Sequence, residues 1–345
     1  MAATSIFVIT RYSVLGGPGG WRARKTADSL EEYKAHLFSD ERLTARLALF
    51  RRMTAESMAH QLPCDADLFF VVLTSEDLPA EHRAQLDDVM RDVEARSDFT
   101  CAVVSVPSGG EHKPHSDAFI DDHVIGGPDR RFATVRLDDD DALAASYCRR
   151  LTAHLDQGLC GYPVSFAYGY EGVVDPGGRV TDVRHWNQPK SSAGLAFTNA
   201  WTSTDGYADP RRHVYMLGRH LKVDVADALV LDTRAPGYFK TVNEHGDSHR
   251  YAYRADLPPV HQHEWAADEF PWLTSSVDLP SSDDDTGTFD PALATSALAI
   301  QRYTERELNG KIAALKRKVK KARAARRPSL RASIRRSLGR LRRSG

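Results

Sequence analysis

The segment Leu68–Leu73 (LFFVVL) is apolar at every position and rich in aromatic and β-branched residues. A run with no polar side reads as a strand covered on both faces, the situation of a parallel sheet between helix layers. Ser5–Thr10, Thr100–Val106 and Phe132–Leu137 carry further strand signals. Between them, Glu41–Gln61 places Leu43, Leu47, Phe50, Thr54 and Met58 at three- and four-residue steps, a helical stripe. Pro79 opens another helix that runs to about Ala95. Strand and helix in alternation predict an α/β fold with a mostly parallel sheet flanked by helices. In such sheets ligands sit beyond the carboxyl ends of the strands.

One of those strands ends in Asp138-Asp139-Asp140-Asp141. Two carboxylates about 4 Å apart repel by about 4 kcal/mol at an effective dielectric of about 20. Capping explains one or two of the four, because Asp is a good N-cap and acids in a first turn are favoured. Leu143, Tyr147, Leu151 and Leu155 follow at four-residue steps and read as that helix. A helix end has too few N–H groups to account for all four. The cluster therefore points to Mg²⁺ or Mn²⁺, which takes one or two protein carboxylates and completes its shell with substrate phosphates. Arg136, just before the cluster, suits a carboxylate or a phosphate equally. Arg11, the glycines Gly16-Gly17 and Gly19-Gly20, and Glu76 or Asp77 fall on the same predicted rim.

From Gly161 to about Pro271 the chain changes to Gly-rich, aromatic, short alternating runs, with a hairpin signal at Asp175-Pro176-Gly177-Gly178. An antiparallel extension is expected there. Residues 1–275 read as the main domain, 276–291 as an acidic linker and 292–345 as a basic helical tail. Asp283-Asp284-Asp285, in its Ser/Thr/Gly setting, reads as a solvated charge run. Residues 310–345 contain 15 Lys/Arg and no acid, whereas residues 1–309 contain 31 Lys/Arg against 47 Asp/Glu. Leu330, Ile334, Leu338 and Leu341 recur at helical spacing among the arginines, the pattern of a helix lying on an anionic membrane surface. Docking on the acidic body, or on a second copy through Leu308, Ile312, Leu315 and Val319, is the other reading. Nucleic acid is not expected as a partner, since the body would repel phosphate. Cys64, Cys101, Cys148 and Cys160 lack ligand spacing and read as reduced thiols. The longest apolar run is too short to span a bilayer. A cytoplasmic location is expected, peripheral at the inner face of the plasma membrane through the tail.

The run Arg136 to Leu143 resembles the Asp-x-Asp element of GT-A glycosyltransferases and, more narrowly, of the bacterial family of putative rhamnosyltransferases. The resemblance extends to Ile9-Thr10-Arg11-Tyr12-Ser13, to Phe50…Ser57…Gln61 and to Asp67–Leu73. It includes Val214…His220…Val223 and Tyr238–Val242…His245-Gly246. It covers residues 5 to about 250 and implies a GT-A-like (Rossmann-like) fold. It also implies transfer of a sugar, rhamnose by the family label, from a nucleotide-diphosphate donor to a hydroxyl of a surface glycan or glycolipid. By that resemblance one of Asp138 and Asp140 holds Mn²⁺ or Mg²⁺ and the other holds the metal or touches the ribose, and Asp141 is a spare ligand or a cap. His245 completes the metal shell, with Asn243 and His220 as alternatives, and Arg11, Glu76, Arg136 and Asp138 contact the donor. Inversion at the sugar requires a carboxylate near the acceptor hydroxyl. Asp205, beside Trp201, is taken for that base, with Glu171 and Asp182 close behind. Trp186, Trp201, Trp265 and Trp272 are candidate sugar platforms. Another metal-dependent nucleotide enzyme, such as a nucleotidyltransferase, and a non-catalytic glycan- or membrane-binding module with a structural cation are the rival readings.

Overall fold

The computed structural model describes residues 3–16, 29–175, 177–243 and 257–280, together with 312 and 316. Packing divides the chain into Met1–Ala292 and Leu293–Gly345. His245, Gly17 to Gly20, the Asp283–Asp285 triplet and the tail helix lie outside the described residues. Both sheets and the aspartate cluster belong to the first unit.

The N-terminal half alternates as its sequence implies. Strand β1 (Ala3–Tyr12) leads through α1 (Leu30–Leu37) and α2 (Asp40–Leu49) to a π-helical stretch, Phe50–Ala55, and to α3 (Glu56–Ala59). Next come β2 (Asp67–Ser75), α4 (Ala80–Arg96), β3 (Phe99–Val106), α5 (Lys113–Val124) and β4 (Arg130–Asp138). The four strands are parallel neighbours in the order β4, β1, β2, β3. Phe7 lies opposite Phe69 in register, and the rings stack with centroids 4.7 Å apart. The Leu68–Leu73 run is buried on both faces, as its lack of a polar side requires.

The helix predicted over Leu143 to Leu155 does not begin at the aspartates. Ala142–Leu143 forms a short strand, β5, and α6 (Tyr147–Asp156) starts only afterwards. Tertiary pairing overrides the helical spacing here, because Leu143 and Ala142 pair antiparallel with Tyr238 and Phe239. The start of α6 is met by Glu269, whose carboxylate accepts the Ser146 N–H at 2.9 Å and the Ser146 hydroxyl at 2.7 Å.

The second half divides between two sheets rather than forming one antiparallel extension. The remaining strands are β6 (Pro163–Ser165), β7 (Tyr168–Val174), β8 (Val180–Asn187), β9 (Leu195–Thr202), β10 (Gly206–Tyr207), β11 (Val230–Leu231) and β12 (Tyr238–Val242). β9 adds antiparallel to β4, followed by β6 and β11, while β10 turns back on β9. A smaller sheet runs β5, β12, β7, β8; its β7–β8 pair is the predicted hairpin, but β12 is parallel to β7. Val277 bridges to Val180, and Arg179 meets Asp278 at 2.7 Å, so these first residues of the expected linker pack on the body. No helix among the described residues is long and apolar enough to cross a membrane. The four cysteines are free thiols.

Candidate active site

The four aspartates leave β4 at the carboxyl end of the parallel strands and alternate in exposure. The side chains of Asp138 and Asp140 are 28% and 16% exposed, whereas Asp139 and Asp141 are buried. Each carboxylate has its own partners, most of them distant in sequence.

Asp138 stands opposite Arg11 in the β1–β4 register, with 3.8 Å between Arg11 Nη2 and its Oδ1. Arg136 donates to it from Nε at 3.3 Å and from Nη2 at 3.0 Å, and the Ser192 hydroxyl donates at 3.1 Å. Burial opposes ionisation, but Arg136, Arg11 and Lys240 outweigh it and hold this carboxyl below the usual carboxylate range. Arg11 and Arg136 also lie over one ring, that of Tyr215, at 4.8 and 5.8 Å from its centroid. The Tyr215 hydroxyl donates to the Ile9 carbonyl at 3.0 Å, so β1 anchors the platform as well as Arg11.

Asp139 faces inward to Arg46, which donates from Nε at 3.2 Å and from Nη2; the same guanidinium reaches Asp140 from Nη1 at 3.3 Å. Burial pushes the Asp139 carboxyl upward and Asp140 adds to this, against the pull of Arg46. Asp141 does not cap α6, whose N-cap is Ser146, and its side chain is buried. Its Oδ1 accepts the Thr241 N–H of β12 at 2.9 Å, and its carbonyl accepts the Thr54 hydroxyl at 2.8 Å. Burial, with the neighbouring Asp140 and Asp138, raises its carboxyl to about 8 in spite of Lys240. The π-helical stretch supplies Thr54, and α2 supplies Arg46.

Asn243 closes the far side: its Nδ2 donates to Asp140 Oδ2 at 3.2 Å, and its Oδ1 is buried with no hydrogen-bond partner among the described residues. His220 donates from Nδ1 to the Lys190 carbonyl at 2.6 Å. Burial and the charge of Arg136 lower its pKa, so it is a neutral imidazole beside the cluster.

Glu76 is on the same rim, where its carboxylate accepts the Ser108 N–H at 2.9 Å, and Asp77 meets Lys34 at 3.0 Å. Asp205 is not brought to the site. It accepts from the Thr202 hydroxyl in the β9–β10 turn, and Trp201 pairs with Arg130 at the opposite end of β4. Eight residue steps along β4 lead from Arg130 to Asp138, about 26 Å at 3.3 Å per step. The antiparallel direction of β9, invisible in local sequence, sends Asp205 to the wrong edge. Glu171 is fully buried in β7 opposite Lys240 and Arg184, while Asp182 accepts from Arg184 at 2.6 Å on β8. The four candidate tryptophans pack within the protein: Trp186 donates to Gln188 at 3.0 Å, Trp201 is buried, Trp265 stacks on Phe270 and Trp272 lies against His60.

Arg46, Ser192, Tyr215 and Thr54 escaped the sequence reading as site residues. Arg46 left one signal, a cation on the buried side of the Leu43–Leu47–Phe50 stripe.

Among the described residues, no three or more His, Cys, Asp or Glu converge as a metal cage. Asp138 and Asp140 suit the other mode, in which a hard cation takes one or two carboxylates and completes its shell from a phosphate ligand. They are the two members of the cluster with exposed oxygens, and arginine keeps Asp138 ionised.

Structural similarity is distant. The crystal structure of S. aureus TarS 1–349 aligns at 11% identity and a TM-score of 0.33, covering 69% of this chain and 60% of that one. TarS 1–349 in complex with UDP aligns at 13% identity and a TM-score of 0.31, with the same coverage. Against the longer TarS chain the identity is 14%, the TM-score 0.31, and the coverage 70% of this chain and 37% of that one. The chain thus spans less than two thirds of these structures. No curated protein matches. A family model described as "Putative rhamnosyl transferase" matches residues 5–255, well over half of the sequence and the whole of the rim just described. The chain belongs to that family, a family of glycosyltransferases.

Proposed function

We propose that the protein transfers a sugar from a nucleotide-diphosphate donor to a hydroxyl of a glycan or glycolipid acceptor, rhamnose being the sugar the family description suggests. One observation carries the reading: Asp138, ionised and partly exposed, sits at the carboxyl end of the parallel strands between Arg11 and Arg136. Asp138 and Asp140 are the residues that would hold Mn²⁺ or Mg²⁺. Such a cation, when bound, neutralises the charge that develops on the departing diphosphate. Arg11 and Arg136, held over Tyr215, present fixed positive charge to the same oxygens at no cost of reorganisation. Arg46 holds the inner face of the turn, and Ser192 orients the Asp138 carboxylate. The tail, outside the described residues, is assigned from its sequence to an anionic membrane surface, where lipid-linked acceptors would be found.

The test is release of nucleoside diphosphate from a panel of sugar nucleotides, with Mn²⁺, with Mg²⁺ and with EDTA. Asp138→Asn is expected to lower turnover by roughly 100-fold or more, the scale of losing one preorganised charge at the reacting centre. Undiminished turnover in that variant would refute the assignment, and pyrophosphate release from a nucleoside triphosphate would favour nucleotidyl transfer instead.

A further inference from the structure

His220 is held in place from both sides in sequence. Val214–Leu217 form a 3₁₀ turn that carries Tyr215, the ring beneath Arg11 and Arg136. Gly218 then turns the chain at a φ of +77°, which other residues rarely adopt. His220–Lys222 form a second 3₁₀ turn, followed by the fully buried Val223. Lys190 grips this segment at two points: its carbonyl accepts from His220 Nδ1 at 2.6 Å, and its Nζ meets the Asp224 carboxylate at 3.0 Å. Ser192, two residues further on, donates to Asp138 at 3.1 Å. Two residues span at most about 7 Å, so one short loop holds both the imidazole and the Asp138 carboxylate.

A carbonyl oxygen only accepts, so the bond to Lys190 fixes the proton of the neutral ring on Nδ1 and leaves the lone pair on Nε2. Nε2 has no hydrogen-bond partner among the described residues and is not closed off from solvent, unlike Nδ1 of the buried His213. The charges that face the ring are Arg136 and Asp138 of β4 and Lys240 of β12. The carboxylates are otherwise committed: Asp139 and Asp141 are buried, Glu171 is buried, and Asp182 is held by Arg184. Metal binding is the competing use of such a nitrogen. Among the described residues, however, His220 does not join Asp138 and Asp140 in a three-ligand group.

We propose that His220 is the general base of the transfer and takes the proton of the acceptor hydroxyl on Nε2. The assignment rests on the glycosyltransferase reading. The acceptor oxygen bonds to the anomeric carbon as the bond from that carbon to the donor's diphosphate breaks. The electron pair of the broken bond leaves with the diphosphate, the hydroxyl proton moves to Nε2, and the imidazolium later returns it to water. The Nδ1–H bond to the Lys190 carbonyl strengthens as the ring gains charge. Displacement of this kind inverts the anomeric centre.

His220→Gln and His220→Ala in the full chain test the proposal. With a sugar nucleotide that the parent turns over, kcat is expected to fall roughly 100-fold or more in both, the scale of a lost general base. Added imidazole should restore part of the loss in His220→Ala. Calorimetric binding of UDP and of Mn²⁺ alone, and the melting temperature, should stay close to those of the parent. Nitrogen-15 NMR of the histidine rings, with His220 assigned by its absence in His220→Gln, should show a neutral ring protonated on Nδ1 at pH 7. Undiminished turnover in His220→Gln, or a ring protonated on Nε2, would overturn the proposal. So would weakened Mn²⁺ binding without imidazole rescue, which would make His220 a metal ligand. Failure of the parent to turn over any sugar nucleotide would instead refute the glycosyltransferase reading itself.

Discussion

At the scale of single residues, the cost of four adjacent carboxylates is met largely by cations of the chain itself. Arg46 serves two of them, Arg136 and Arg11 serve Asp138, and Lys240 acts on Asp138 and Asp141. Read linearly, the four acids suggest helix capping for one or two and a metal for the rest, because a partner 93 residues away is not visible along the chain. Arg46 and Asp139 form a buried pair, and removing one partner leaves the other uncompensated. Arg46→Ala is therefore expected to lose about 3–5 kcal/mol of stability, measured by urea denaturation, whereas an exposed pair would lose almost nothing. An unchanged denaturation midpoint would show that Asp139 finds another partner.

Among the elements, the helix through Phe50–Ala55 illustrates what periodicity can and cannot reveal. The stripe Leu43, Leu47, Phe50, Thr54, Met58 identified the helix and its buried side. It did not show the wider π turn, in which Met53, Thr54 and Ala55 are consecutively buried and Thr54 reaches the carbonyl of Asp141. Thr54→Val keeps the shape and deletes the hydroxyl. A loss of about 1–3 kcal/mol is expected, together with slower turnover as the aspartate turn loosens. Thermal melting and the diphosphate-release assay read the two effects separately.

A second link joins α6 to the residue after β11. Asp232 is buried and accepts from Arg150 at 2.9 Å, Arg234 at 2.6 Å and His154 at 3.2 Å. Burial disfavours its charge, but these three donors prevail and hold its pKa far below the ordinary value. In acid the unfolded chain therefore takes up this proton before the folded one does. The stabilisation is fully present above about pH 4, the unfolded value, and declines as the pH falls further. Asp232→Asn should lower the urea midpoint at pH 7 and flatten its fall between about pH 5 and pH 2. A parallel fall in both proteins would assign the acid sensitivity elsewhere.

Over the whole molecule, strand direction decides which residues share the rim. β4 delivers the aspartates to the carboxyl edge, and β9, bonded to it antiparallel, carries Asp205 to the other edge. Asp205→Ala is expected to leave turnover within about twofold of the parent, the range of an ordinary surface change. A loss comparable to that of Asp138→Asn would mean that the two edges cooperate in catalysis. The same assay with and without Mn²⁺ examines the cation.

The sequence by itself determined the α/β class, the first four strands, the helices after Glu41 and Pro79, and the edge on which the aspartates, Arg11 and Glu76 stand. These follow from side-chain period and from chain order, which act over one element or between consecutive ones. Tertiary structure alone decided that Ala142–Leu143 pairs with β12, that Asp141 faces inward, that Arg46, Thr54 and Ser192 surround the turn, and that Asn243 meets Asp140 there. The contacts of those four residues join positions 54 to 103 apart in the chain. Long-range hydrogen bonds and ion pairs depend on which segments the core brings together, and burial area and strand direction settle that only once the chain has folded.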